Sequence, residues 1–182
     1  MKRLMLRNFP FLASMQKRNL TRAAIAGLFL GLATYGVAQV TPQVDRKCQK
    51  ALDKADLVYE IDSDGDFKLV VKVPDNRTQL VYVYSNTLSY DDVEVRTIMS
   101  PALVADTDAA LTAETMRLLL VDNFENKMGA WEVVERPDGG IVIQYVVKPP
   151  ADTGAHELRS LIGLAAIAAD MIEQQITEGD DL

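Results

Sequence analysis

The chain has 182 residues and carries 19 Lys and Arg against 26 Asp and Glu, a net charge of −7. Six of the basic residues and no acidic ones lie in the first 38 positions, so the remaining 144 residues carry 13 basic and 26 acidic side chains, a net charge of −13. A field of that sign repels phosphates and argues against a nucleic-acid partner. The hydrophobic content of 48% argues against a disordered acidic tail.

The N-terminal segment has the pattern of a secretory signal peptide. Residues 23–37 are apolar and uncharged, and Arg22 and five further basic residues precede them. Gly36 and Ala38 supply small side chains before a cleavage site after Ala38. The apolar run is shorter than the roughly 20 residues that span a membrane. We therefore expect residues 1–38 to be removed and the protein to be periplasmic or secreted, without a stable membrane span. The alternative is an uncleaved segment that anchors the chain in the membrane.

The remainder is expected to form one domain over residues 39–177, followed by a loose acidic tail at 178–182. Cys48 is the only cysteine, so an internal disulfide is excluded and the fold must depend on its hydrophobic core.

The order of predicted elements is α-ββββ-α-ββ-α. A helix is predicted from Thr41-Pro42 to Asp56 because Thr caps helices and Pro suits their first position. Two further helices are predicted at residues 113–127 and 157–177. Predicted strands occupy residues 57–61, 67–73, 80–84, 93–99, 131–135 and 141–147. Hairpin connections indicate an antiparallel sheet of five to six strands, with the helices on one face, an α+β fold.

The middle helix is expected to bury an apolar stripe. That stripe consists of Met116, Leu119, Leu120 and Phe124, and Gly129 marks the end of the element.

The segment Asp62-Ser63-Asp64-Gly65-Asp66 places three carboxylates at alternate positions, which suggests a calcium site. The glycine and the twelfth residue do not match an EF-hand loop, and strands rather than helices flank the segment. An acidic hairpin turn is therefore the favoured interpretation, and a ligand or calcium sensor is kept as an alternative.

Catalytic chemistry has weak support in the sequence. A nucleophilic pair of Cys48 and His156 is chemically feasible, but Cys48 lies in an ordinary amphipathic pattern. We therefore expect no enzyme and no cofactor, and we keep a thiol-dependent enzyme using Cys48 as the less favoured alternative.

Both faces of the predicted sheet carry apolar residues, although a sheet with helices on one side is usually polar on the other. One face is expected to hold Phe67, Leu69, Val71, Ile141, Ile143 and Tyr145. The second is expected to hold Val70, Val81, Val83, Val142 and Val146, among Lys68, Lys72, Arg96 and Lys148. This second face is either a semi-polar solvated surface or a surface that binds another subunit or a client protein.

The chain resembles the YbjN family, described as bacterial sensory-transduction regulators, which shares the fold of type III secretion chaperones. The resemblance lies in residues 59–66 (YEIDSDGD), 80–85 (LVYVYS), 119–126 (LLVDNFEN) before Trp131, and the 137–140 hairpin (PDGG), and it covers roughly residues 48–177. It implies a small, acidic, non-enzymatic protein that binds other proteins and forms a homodimer. It supplies no catalytic residues. A signal peptide departs from the cytosolic chaperones, so the expected role is that of a chaperone-like or regulatory partner of envelope proteins.

Overall fold

The structure is a computed structural model, and it describes residues 43–177. The predicted signal peptide with its cleavage site, the Thr41-Pro42 pair and the predicted tail at 178–182 lie outside the described residues.

Within residues 43–177, three α-helices and six strands follow one another in the order predicted from the sequence. They are α1 (Arg46–Lys54), β1 (Glu60–Ile61), β2 (Phe67–Lys72), β3 (Thr78–Tyr90), β4 (Val93–Ala105), α2 (Ala113–Glu125), β5 (Ala130–Glu135), β6 (Ile141–Val147) and α3 (Ala155–Ile176). The strands form one open antiparallel sheet with spatial order β1-β2-β3-β4-β6-β5. The predicted α+β class is confirmed.

The core lies between the sheet and the helices. The long helix α3 contacts β3, β4 and β6, while α1 packs on α3 and α2 contacts the edge strand β5. Side chains from all three helices join alternate strand residues in one cluster, which includes Leu52, Phe67, Leu119, Tyr145 and Ile162. Within residues 43–177, no helix combines the length and the hydropathy needed to cross a membrane.

An ion cluster ties β3 to α3 inside this core. Arg77 precedes β3, and its Nε donates to Asp170 Oδ1 at 2.6 Å while its Nη2 donates to Glu173 Oε2 at 3.2 Å. Both carboxylates belong to α3 and are buried. One guanidinium therefore faces two buried carboxylates.

Helix α1 begins at Arg46, so the predicted first helix is wrong over residues 43–45. Residues 43–45 are not helical, and Asp45 caps α1 by accepting hydrogen bonds from the backbone N–H groups of Lys47 (2.7 Å) and Cys48 (3.2 Å). A carboxylate satisfies these otherwise unpaired donors and also interacts favourably with the helix dipole.

The central hairpin of β3 and β4 is longer than predicted. Residues 86–90, expected to be a loop, continue β3, and the turn is confined to Asp91 and Asp92, with Asp91 in the left-handed region at φ 53°. Strand β4 also continues through Pro101. The β4–β6 register shifts between Pro101 and Leu103, and such an irregularity is where a strand tolerates a residue without an N–H.

Candidate protein-binding surfaces

The outer face, meaning the face of the sheet opposite the helices, is identified by strand register. Val83 lies opposite Phe67 and Ile98, and Ile98 lies opposite Val147. All four are core residues on the helix side. Because residues opposite one another share a side and successive residues alternate, the neighbouring row must point outward.

That neighbouring row crosses five strands and is largely apolar. It consists of Lys68, Tyr82, Met99, Val146 and Ala130, each opposite the next in the ladder. Tyr82 and Met99 are half-buried, while Val146 is buried between its neighbours. The outer face therefore has an apolar centre rather than the polar surface expected of a solvated sheet.

Further apolar residues extend this surface on both sides of the row. Val70 lies opposite Leu80 at one end, and Val142 lies between Val104 and Val134 at the other. Val70 is 63% exposed, which is high for a β-branched side chain in a strand.

The structure divides the five valines predicted from the sequence to share one face. Val70, Val142 and Val146 lie on the outer face, as the register requires. Val81 and Val83 are fully buried on the helix side, so their expected placement is wrong. Residues 80–84 are apolar at every position, and a continuous apolar run does not reveal which alternate set points inward.

Charged side chains border the outer face. Lys68 and Lys72 lie on β2, and Lys148 Nζ contacts Glu132 Oε1 at 2.5 Å near the opposite edge. Arg96, which was expected among these residues, is instead almost fully buried at the end of the sheet beside α1.

Arg96 has a structural role at that position. Its Nη2 donates to the Asp45 carboxylate, and its Nη1 donates to the backbone oxygens of Tyr84 (2.6 Å) and Ser85 (3.3 Å). Burial alone raises the pKa of Asp45, but the hydrogen bond from Arg96 and those from the Cys48 and Lys47 backbone outweigh it, and the pKa is lowered from 3.8. The pair therefore docks the start of α1 against the sheet.

The ion pair of Asp45 and Arg96 is expected to contribute less to stability in acid. A carboxyl whose folded pKa is depressed contributes stability above its unfolded pKa and loses it as the pH falls through the folded value. At pH 7, we expect Asp45→Asn to lower the free energy of unfolding by part of the about 1.5–3 kcal/mol that a charge-assisted hydrogen bond contributes. Near pH 2, we expect the free energies of unfolding of the variant and the parent chain to differ less. Urea unfolding at both pH values measures this, and an equal difference at both would contradict it.

Cys48 does not have the surroundings of a reactive thiol. Its side chain is buried in the core, and burial raises its pKa to about 11, with Arg96 acting to lower it and Asp45 to raise it. A thiol with this pKa is almost entirely protonated at neutral pH, whereas catalytic cysteines depend on the thiolate. His156 is an exposed residue in the first turn of α3.

We therefore expect iodoacetamide to label native Cys48 far more slowly than the same cysteine in urea-unfolded chain. Mass spectrometry of timed aliquots gives both rates, and the unfolded sample is the control. Equal rates would restore the thiol-enzyme alternative.

The acidic turn uses its carboxylates within the hairpin. Asp62 Oδ1 accepts hydrogen bonds from the backbone N–H groups of Asp64 at 2.9 Å and Asp66 at 3.0 Å, and Asp66 Oδ1 accepts one from Ser85 N at 2.7 Å. Burial, with Asp62 and Asp64 nearby, raises the pKa of Asp66 despite the bond from Ser85. In the described part of the chain, no group of three or more His, Cys, Asp or Glu side chains is placed to hold a metal ion.

The apolar residues of α2 are placed differently from the prediction. Only Leu119 of the predicted stripe is buried. Met116, Leu120 and Phe124 are exposed by 46%, 68% and 88%, so the expected burial of these three is wrong. We call these three residues the α2 ridge.

Sequence reasoning missed two parts of these surfaces. It did not include Leu80, Tyr82 or Met99 in the second face, and it assigned the ridge to the core. The sequence did carry a signal for both. The strands of the sheet and helix α2 each contain more apolar residues than one buried side can hold.

Comparison with protein-family models, with curated proteins and with solved structures found no match to this chain.

Proposed function

We propose that this chain is an exported, non-enzymatic protein-binding domain that acts as a chaperone-like or regulatory partner of envelope proteins, as the resemblance to the YbjN family implies. Its place of action is the periplasm or the cell exterior, or the membrane surface if the N-terminal segment is retained. The observation that carries the proposal is the apolar centre of the outer face, formed by Tyr82, Met99 and Val146 across three strands.

The apolar centre is half-buried or buried, but the same face exposes Val70, Val104 and Val134, and exposed apolar patches are typical of surfaces that bind other polypeptides. Tyr82 and Tyr84 add large, rigid contact area, and their polar hydroxyls suit a surface that faces water until a partner binds. Both side chains are half-buried, and each alternates with a core residue along β3.

The charges at the border indicate the chemistry of the partner. Lys68 and Lys72 lie beside the apolar centre on β2. They favour a segment that carries acidic residues next to its apolar side chains, because complementary charge speeds and orients binding. We propose that the domain binds extended apolar segments with acidic flanks in unfolded or partly folded exported proteins.

Suppression of aggregation tests this proposal. The full chain, purified as the cell processes it, is expected to reduce light scattering from insulin B chain released by dithiothreitol. The double variant Tyr82→Glu with Met99→Glu is expected to lose this effect, because two carboxylates then occupy the apolar centre.

Met171→Glu is the matched control, since Met171 is also exposed but lies on α3. It is expected to suppress scattering as well as the parent chain does. Circular dichroism establishes that both variants are folded. Suppression that survives the double variant, or none with the parent chain, would contradict the proposal.

A further inference from the structure

Helix α1 carries a concentration of positive charge in an otherwise acidic domain. After position 38, the chain has 13 basic and 26 acidic side chains. Four of the basic ones lie in α1, which is only nine residues long, and Asp53 is the only acidic residue of this helix. The four are Arg46, Lys47, Lys50 and Lys54. The surface of α1 therefore has the opposite sign to the domain as a whole.

The three lysines share one side of α1. With 3.6 residues per turn, Lys47, Lys50 and Lys54 fall within about 60° of one another around the helix axis. Asp53 lies further round the helix, where its Oδ1 accepts a hydrogen bond from the Tyr59 hydroxyl at 2.7 Å. The lysine side chains are exposed, and none forms an ion pair within residues 43–177. Their charge is therefore available to a partner.

A cleft of about 300 Å³ lies beside these lysines, between α1 and the connection from β6 to α3. All three lysines line it, and among the described residues Asp152 is the one acidic side chain that does so. Apolar lining is supplied by Cys48, Ala51, Pro149 and Leu158. Cys48 and Leu158 belong to the buried core, whereas the lysines are exposed. The cleft, which we call the α1 cleft, is therefore apolar at its base and positively charged at its rim.

The shape of the α1 cleft favours a polypeptide over a lipid surface. Helices that bind a lipid surface insert apolar side chains that project from them, whereas the apolar residues of the cleft are recessed behind the lysines. The volume is at the lower limit of ligand pockets, which run from about 300 to 1,000 Å³. A cleft of this size accommodates one large side chain of a peptide.

We propose that the α1 cleft binds an acidic segment of a partner protein that carries one large apolar side chain. The apolar side chain enters the cleft, and the neighbouring carboxylates face Lys47, Lys50 and Lys54. At 1.5 Å per residue, these lysines span about 10 Å along the helix. An extended segment of about four residues covers that distance.

The α1 cleft is separate from the outer face. Helix α1 packs on α3, and its buried side chains belong to the core on the helix side of the sheet. A segment in the cleft therefore does not cover Tyr82 or Met99. This inference adds a second interaction surface, and it does not rest on client binding at the outer face.

Fluorescence anisotropy with short labelled peptides tests the proposal. The full chain, purified as the cell processes it, is expected to bind a fluorescein-labelled peptide of sequence DEDFEDE, and added salt is expected to weaken the binding. The peptides NQNFNQN and DEDGEDE are each expected to bind at least about tenfold more weakly. The first has no carboxylates to face the lysines, and the second has no side chain to fill the cleft.

A matched pair of charge reversals locates the binding site. Lys50→Glu with Lys54→Glu is expected to weaken binding of DEDFEDE at least about tenfold, because like charges then face each other at the rim. Lys68→Glu with Lys72→Glu makes the same change in charge on β2 and is expected to leave the affinity nearly unchanged. Circular dichroism and melting temperature show whether each variant is folded, and the peptide series in the parent chain does not depend on them.

Four results would each overturn the proposal. They are no binding of DEDFEDE, equal affinity for DEDFEDE and NQNFNQN, unchanged affinity in the Lys50 and Lys54 variant, and loss of affinity in the Lys68 and Lys72 variant alone. The last of these would assign acidic segments to the outer face. Flotation with phosphatidylglycerol vesicles that depends on Lys50 and Lys54, without peptide binding, would assign the α1 cleft to a membrane surface instead.

The two proposed surfaces can fail independently. The Lys50→Glu, Lys54→Glu variant is expected to retain suppression of insulin aggregation, because the outer face is unchanged. The Tyr82→Glu, Met99→Glu variant is expected to retain binding of DEDFEDE. A failure of the α1 cleft is therefore distinguished from a failure of client binding.

Discussion

Val81→Lys is expected to lower the free energy of unfolding by more than about 4 kcal/mol, because it buries an unpaired charge in the core. Val81 is fully buried and lies opposite Leu69 on the helix side of β3. An ammonium group at that position has neither water nor a carboxylate within the core cluster to stabilise it. Urea unfolding followed by circular dichroism measures the change.

The neighbouring residue provides the control. Tyr82 is half-buried on the outer face, so Tyr82→Lys is expected to change the free energy of unfolding by about 1 kcal/mol or less. Adjacent positions are thus expected to differ severalfold in their response to the same substitution. Equal responses, or a greater loss from Tyr82→Lys, would show that the assignment of the two faces is wrong.

Arg77→Met is expected to destabilise the fold by about 3–5 kcal/mol at neutral pH. The substitution keeps most of the side-chain volume but leaves Asp170 and Glu173 buried without the guanidinium that now contacts both. Unfolding in urea at pH 7, followed by circular dichroism, measures the loss.

Arg136→Met is the matched control for this prediction. Arg136 Nη2 lies 2.5 Å from Asp138 Oδ2 in an exposed hairpin turn, and the carboxylate partner remains in water. The substitution of Arg136 is expected to lower the free energy of unfolding by about 1 kcal/mol or less. A loss for Arg77→Met as small as that of Arg136→Met would contradict a structural role for the buried ion cluster.

The sequence was sufficient to predict the class and the order of elements because these depend on local signals. Turn residues such as Asp138-Gly139 mark the hairpins, and a stripe with three- and four-residue spacing marks α3. The predictions that were wrong depended on contacts between distant residues.

One example is the choice of which alternate residues of β3 point toward the core. Residues 80–84 are all apolar, so only the pairing of Val83 with Phe67 and Ile98 determines which residues are buried. The orientation of α2 is another. Residues 118–121 are apolar on every side of the helix, and the inner side is selected by the contacts of Asp122 and Asn123 with Trp131.

The position at which α1 begins also depends on a contact between distant residues. Thr41 has the right side chain to cap a helix, but Asp45 caps α1 and is fixed by Arg96, which lies 51 positions further along the chain. Sequence spacing gives no indication of that pair. Both the misplaced Arg96 and the late helix start follow from it.

Site-specific photo-crosslinking in living cells tests whether the outer face binds other polypeptides, as proposed. A photoreactive amino acid is placed in the full chain at Tyr82 or Met99 on the outer face and, as a control, at exposed Ile167 on α3. Irradiation of living cells is expected to give adducts with other envelope proteins from positions 82 and 99 but not from 167. No adducts from the outer face, or the same adducts from all three positions, would contradict protein binding by the outer face.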